Sequence, residues 1–150
     1  MEKTSLDYLE GILHTYSSLN MPNSTLQYEY EIVKVSKIET ETEIVTDLFK
    51  LPAKCKMAIK EISKEKFRKG IYTWFFNNGE LSTINLNERR KNIEVDCFIK
   101  NLYSAIEIQK ITIIEFDKWN ETFYELGIGY EYYFLHSSNE KYLLYFRYDD

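Results

Sequence analysis

Ile128-Gly129-Tyr130-Glu131-Tyr132-Tyr133-Phe134-Leu135, then His136-Ser137-Ser138-Asn139-Glu140, then Tyr142-Leu143-Leu144-Tyr145-Phe146-Arg147-Tyr148 is the stretch that decides the fold. Two runs rich in aromatic and branched side chains, separated by a short polar stretch, predict an antiparallel hairpin. Neighbouring side chains on a strand point to opposite faces, so Tyr132 and Tyr133 cannot share one side. The sheet containing them is therefore either covered on both faces or leaves tyrosines exposed.

Upstream, Gln109–Phe116 predicts another strand, and Asp117 can cap a short helix carrying Trp119 and Phe123 that Gly127 stops. A helix from about Asn92 places Val95, Phe98, Ile99, Leu102 and Ile106 on one stripe. Ile71–Phe76 and Leu81–Leu86, joined by Asn77-Asn78-Gly79, read as a second hairpin whose turn needs Gly79 at positive φ. Residues 52–69 are ambiguous. Pro52 and Gly70 punctuate a helix with Cys55, Ala58, Ile59 and Ile62 on one face, the favoured reading, while alternation of Cys55, Met57 and Ile59 with lysines fits an edge strand. At the start, Thr4 or Ser5 caps a helix running to Asn20, with Leu6, Leu9, Ile12, Leu13 and Tyr16 at helical spacing. Leu26–Ile32 and Ile38–Ile44 alternate with period 2 and are expected to pair as strands. The expectation is one α+β domain over residues 1–150: a mostly antiparallel sheet of about six strands with three or four helices.

The chain has 150 residues, 44% of them hydrophobic and 29% charged, with 5 Gly and 2 Pro, which excludes disordered and low-complexity classes. Aromatic residues make up 16%. The net charge is −5, distributed as −5 over residues 1–50, +5 over 51–110 and −5 over 111–150. That balance disfavours a duplex-binding protein, which must neutralise phosphates. Apolar runs are too short to span a bilayer, and the acidic N-terminus lacks signal-peptide character, so a cytoplasmic location and no membrane partner are expected. Asn23-Ser24-Thr25 and Asn120-Glu121-Thr122 are then chance glycosylation triplets. Cys55 and Cys97 are expected as buried free thiols.

Catalytic signatures are absent. There is no Gly-x-x-x-x-Gly-Lys, Gly-x-Ser-x-Gly or His-Glu-x-x-His, and Gly127-Ile128-Gly129 has Tyr132 where a dinucleotide loop needs its third glycine. His14 and His136 could serve a cysteine nucleophile only formally, and paired carboxylates are too common here to single out a hydrolase. No catalytic residue, cofactor or metal is expected. The basic block Lys54, Lys56, Lys60, Lys64, Lys66, Arg68 and Lys69, with Arg89-Arg90-Lys91 beyond it, reads as a solvated face.

The acids are more informative. Glu29 and Glu31, with Glu39, Glu41 and Glu43 on the next run, would place five carboxylates on one sheet surface, a self-repulsion that a basic partner would relieve. Glu131, Tyr132, Tyr148, Asp149 and Asp150 would add aromatic anchors and further acids. These ten residues form the candidate partner-binding set. In size and composition the chain is similar to immunity proteins of bacterial polymorphic-toxin systems, with no family motif matched. The expected function is therefore stoichiometric binding of a basic protein, in its sharpest form the inhibition of a toxin such as a nuclease. The alternatives are a small-molecule-binding or hydrolytic domain with a tyrosine-lined pocket, and a nucleic-acid accessory factor using the basic block.

Overall fold

Ser5 opens the first helix, its hydroxyl accepting from the Tyr8 amide, and α1 (Leu6–Asn20) buries Leu9 and Leu13. A computed structural model describes residues 4–22, 25–51, 56–116 and 128–149. After α1 the chain forms β1 (Gln27–Val35), α2 (Glu41–Phe49), β2 (Met57–Ile62) and α3 (Lys64–Tyr72). A π turn (Thr73–Asn77) and a 3-10 turn (Glu80–Thr83) lead to α4 (Glu88–Ala105), and β3 (Lys110–Phe116), β4 (Gly129–His136) and β5 (Lys141–Asp149) complete it. The five strands are antiparallel in the order β1-β5-β4-β3-β2. With four α-helices among the described residues, this is an α+β fold.

Both faces of the sheet are covered, which absorbs the tyrosine excess. Tyr28, Tyr30 and Ile32 of β1, Ile111 and Ile113 of β3, Tyr133 and Leu135 of β4, and Leu144 and Phe146 of β5 face α1, α3, the π turn and α4. Ile114, Tyr132, Phe134, Leu143 and Tyr145 point the other way, against Ile44 and Val45 of α2 and Leu51. β1 and β2 are opposite edges, so α2 carries the chain across the second face from one edge to the other.

Three expectations are corrected. The run Ile38–Ile44 is not a strand. Thr40 is a helix N-cap whose hydroxyl accepts from the Glu43 amide at 3.2 Å, and Glu41 and Glu43 lie in the first turn, where helix amides attract negative charge. The stretch 52–69 is not one helix: Met57–Ile62 is the edge strand that the alternation allowed, and Ser63 caps a new helix. The 71–86 hairpin does not form. α3 continues into the π turn, where Trp74, Phe75 and Phe76 are all buried. Gly79 has φ −150°, so its need is spatial: a Cβ there would meet Asn20, with Oδ1 only 2.6 Å away.

The strand count is consequently five rather than about six. α1, β1, β3 and the C-terminal hairpin stand as expected, and α4 begins four residues earlier, capped by Asn87. Cys97 is free but exposed, against the expected burial. Cys55, Lys54, Asp150, Asn23-Ser24 and the short helix expected after Asp117 lie outside the described residues.

Candidate functional site

The nine candidate residues that the structure describes do not share one surface. Glu29 and Glu31 alternate with buried Tyr28 and Tyr30 on β1, yet both are paired. Glu29 accepts from Tyr145 Oη at 2.8 Å and Arg147 Nε at 2.9 Å; Glu31 lies 2.9 Å from His14 Nε2. Tyr132 is fully buried, with its ring on Tyr145 and edge-on to Phe49, and burial pushes its phenol well above the ordinary value. Tyr148 packs against Tyr28 and Trp74 in the first core. Glu131 accepts from the Tyr133 hydroxyl on the α3 side, while Asp149 is half-buried at the end of β5. Tyr132 is therefore no surface anchor, and the five-carboxylate ladder does not exist because Glu39–Glu43 is not a strand.

What the fold does bring together is α2 and its approach. Glu39, Glu43 and Asp47 are exposed and make no ion pair with any described residue. Glu43 and Asp47 are four apart, hence neighbours on one helix face. Beside them Ile38 is 96% exposed and Leu48 51% exposed. Apolar side chains standing in water on a segment that also carries uncommitted carboxylates have the composition of an interface anchor with a charged rim. Lys37, exposed beside Ile38 and donating to the Ser138 carbonyl, and Lys50, exposed at the C-terminal end of α2, are the opposing charges on the same segment. The sequence reading found Glu39 and Glu43 but missed Asp47, which the helical period joins to Glu43, and the exposed Ile38 and Leu48.

A half-buried polar cluster holds this segment to the sheet. Lys141, 5% exposed, donates from Nζ to the Glu39 carbonyl at 2.6 Å and lies 3.7 Å from Glu41 Oε1. His136 Nε2 is 3.3 Å from the same carboxylate oxygen and 3.1 Å from Thr112 Oγ1. The ring nitrogen is thus hydrogen-bonded to the Thr112 hydroxyl and stands within ion-pair distance of the carboxylate. Burial holds the His136 pKa below the ordinary imidazole value; Lys110 and Lys141 push the same way, and Glu41 and Glu61 oppose them. A ring kept neutral meets Glu41 as a close polar contact rather than as a full ion pair.

A second feature is a cleft of about 640 Å³ between α3 and the sheet, with Lys66, Lys69 and Thr73 on one wall and Tyr130, Glu131 and Tyr133 on the other. Glu115, on its rim, pairs with Lys60 at 2.9 Å. The basic block is thus divided between edge strand β2 and α3, and Arg68 is tied to Asp96 at 2.7 Å. Among the described residues no group of three or more His, Cys, Asp or Glu is placed to hold a metal, and no helix is long and apolar enough to cross a membrane. Neither protein-family models nor curated proteins give a match to this sequence. The class that fold and surface define is an aromatic-rich α+β domain presenting an acidic, partly apolar helix.

Proposed function

We propose that this protein works by stoichiometric binding of a basic protein through α2 and its approach, Ile38, Glu39, Glu43, Asp47 and Leu48. The observation carrying this reading is Ile38, almost wholly solvated next to Glu39 on a segment whose Glu39, Glu43 and Asp47 form no ion pair with a described residue. In its sharpest form the partner is a toxin, a nuclease being one class, whose basic surface is covered; small size, net charge −5 and the lack of a catalytic motif support that form. Acids at the rim accelerate encounter, and the apolar anchors slow release.

The test is affinity capture from native lysate followed by association kinetics of the captured protein. Reversal of Glu39, Glu43 and Asp47 to Lys should slow association severalfold at 10 mM salt and much less at 150 mM, as the Debye length falls from ~30 Å to ~8 Å. Ile38→Ala should instead raise the dissociation rate. A captured partner indifferent to both variants defeats the proposal.

The tyrosine-walled cleft beside α3 supports a second reading, a small-molecule site. A ligand retained through purification and lost in Lys66→Glu/Lys69→Glu would favour it.

A further inference from the structure

The cluster beneath α2 does more than join two elements. Glu41 is the one acid of the α2 segment turned toward the sheet, and its carboxylate is shared by His136 of β4 and Lys141 of β5. Side-chain exposures of 17% for Glu41, 19% for His136 and 7% for Lys141 place all three largely out of water. The groups facing the imidazole come from every neighbouring element: Glu41 from α2, Lys110 and Thr112 from β3, Glu61 from β2, and Lys141 from β5. Proton uptake would turn the neutral ring into a cation. It would place a third cation beside Lys110 and Lys141, in a site where burial already disfavours charge.

We propose that these groups form an acid-sensitive latch that releases α2 from the sheet when His136 takes up a proton. Lifting α2 exposes the imidazole to water, where it can hold the charge at little cost. Proton uptake and undocking are therefore linked, each favouring the other. Lys141 gives the latch direction. While His136 is neutral, Lys141 holds the Glu39 carbonyl and the Glu41 carboxylate, fixing the N-terminal end of the helix. With His136 charged, two cations compete for one carboxylate. The rest of α2 is held by Ile44, Val45 and Phe49 against Tyr132, Phe134, Leu143 and Tyr145, contacts that do not titrate near neutral pH. The device stands whether or not α2 docks a partner; if it does, the same proton would weaken that docking.

Amide hydrogen exchange by NMR at pH 7.5 and 5.5, corrected for intrinsic rates, tests it on the whole chain. Protection of the Ile44, Val45, Leu48 and Phe49 amides should fall severalfold on acidification, with about tenfold as the ceiling, since an exposed imidazole titrates near 6.5. The Leu9 and Leu13 amides of α1 should not change. His136→Gln should abolish the fall. Unchanged α2 protection, an equal fall in His136→Gln, or a parallel fall in α1 would each overturn the latch. Should that variant fail to fold, the His136 imidazole resonance of the wild-type protein, assigned by comparison with His14→Gln, decides: a midpoint at or above 6.5 overturns it, and a lower one supports it.

Discussion

Tyr30 donates its hydroxyl hydrogen to the main-chain carbonyl of Trp74 across 2.6 Å, joining the centre of β1 to the π turn. A π turn spaces its backbone bonds one residue wider than an α-helix and leaves carbonyls needing other donors. Asn20, fully buried, supplies the rest. Its Nδ2 donates to the Phe75 carbonyl at 3.1 Å and the Tyr16 carbonyl at 2.9 Å, while Oδ1 accepts from the Leu81 amide at 3.2 Å. Asn20→Ala strands both a buried donor and a buried acceptor and should cost ~2–4 kcal/mol in urea unfolding. Tyr30→Phe should cost only ~1–1.5 kcal/mol, because Asn20 remains near the same carbonyl. Equal losses would show that the asparagine is not the hub.

Gly70 and Tyr133 form a coupled pair. A Cβ on Gly70 would overlap the Tyr133 hydroxyl, which is bonded to Glu131. Alanine is the better helix former by ~1 kcal/mol, so a net loss in Gly70→Ala isolates the clash. That loss should be ~1–3 kcal/mol in the wild-type background and at least ~1 kcal/mol smaller in Tyr133→Phe, where the overlapping oxygen is gone. Additive stabilities in the four-protein cycle would refute the contact.

Trp74 is 2% exposed, stacks on Phe146 at 5.6 Å and meets Tyr30 edge-on, yet its indole Nε1–H has no hydrogen-bond partner among the described residues. Its contribution is therefore ring packing. Trp74→Ala should cost ~3–5 kcal/mol, whereas Trp74→Phe, which keeps a stacked ring and loses no hydrogen bond, should cost less than half of that. Similar losses in the two variants, read from thermal or urea melts, would assign a hidden role to the N–H.

How far the fold was legible follows from which local signals competed. The C-terminal hairpin, β3 and α1 carry one period each, and they form as read. In Glu39–Glu43 two signals collide. Glu-Thr alternation imitates a strand, but Thr40-Glu41-Thr42-Glu43 is also the spacing of a capping box, and Ile44, Val45 and Phe49 then follow at helical intervals. The cap prevails because α2 can bury Ile44 and Val45 on a sheet face already rich in tyrosine. In Ile71–Phe76 the branched and aromatic content imitates a strand, whereas Phe67, Ile71, Trp74 and Phe75 recur at helical spacing and are all buried in the same core. What no local pattern contained was the demand of the Trp74 and Phe75 carbonyls for Asn20, more than fifty residues away. The acidic surface was legible in part for the same reason: Glu39 and Glu43 stand out by charge, but Asp47 joins Glu43 only once α2 is a helix, and the exposure of Ile38 and Leu48 follows from how the segment packs on the sheet.

Buried phenols govern stability in alkali. Burial pushes Tyr16 and Tyr142 up to about 12, a hydrogen bond to Glu88 does the same for Tyr72, and burial carries Tyr30, Tyr132, Tyr133 and Tyr145 higher still. An unfolded phenol ionises near 10, so the folded state keeps its protons to higher pH. Stability from this source is complete below about pH 10 and is lost as pH rises toward the folded-state values. Each deeply buried phenol then removes ~1.4 kcal/mol per pH unit, and Tyr30, Tyr132, Tyr133 and Tyr145 together roughly 5 kcal/mol per unit. Against a typical total of about 5–15 kcal/mol, that forces cooperative unfolding within about one to three units above pH 10. Absorbance at 295 nm should rise in two stages, a gradual one from accessible tyrosines and a steep one coincident with loss of the circular dichroism signal. Tyr145→Phe, which removes one of the four phenols, should make the second stage shallower. A single smooth titration near pH 10 with circular dichroism intact would show that these phenols are open to water and that the double-faced tyrosine core is wrongly drawn.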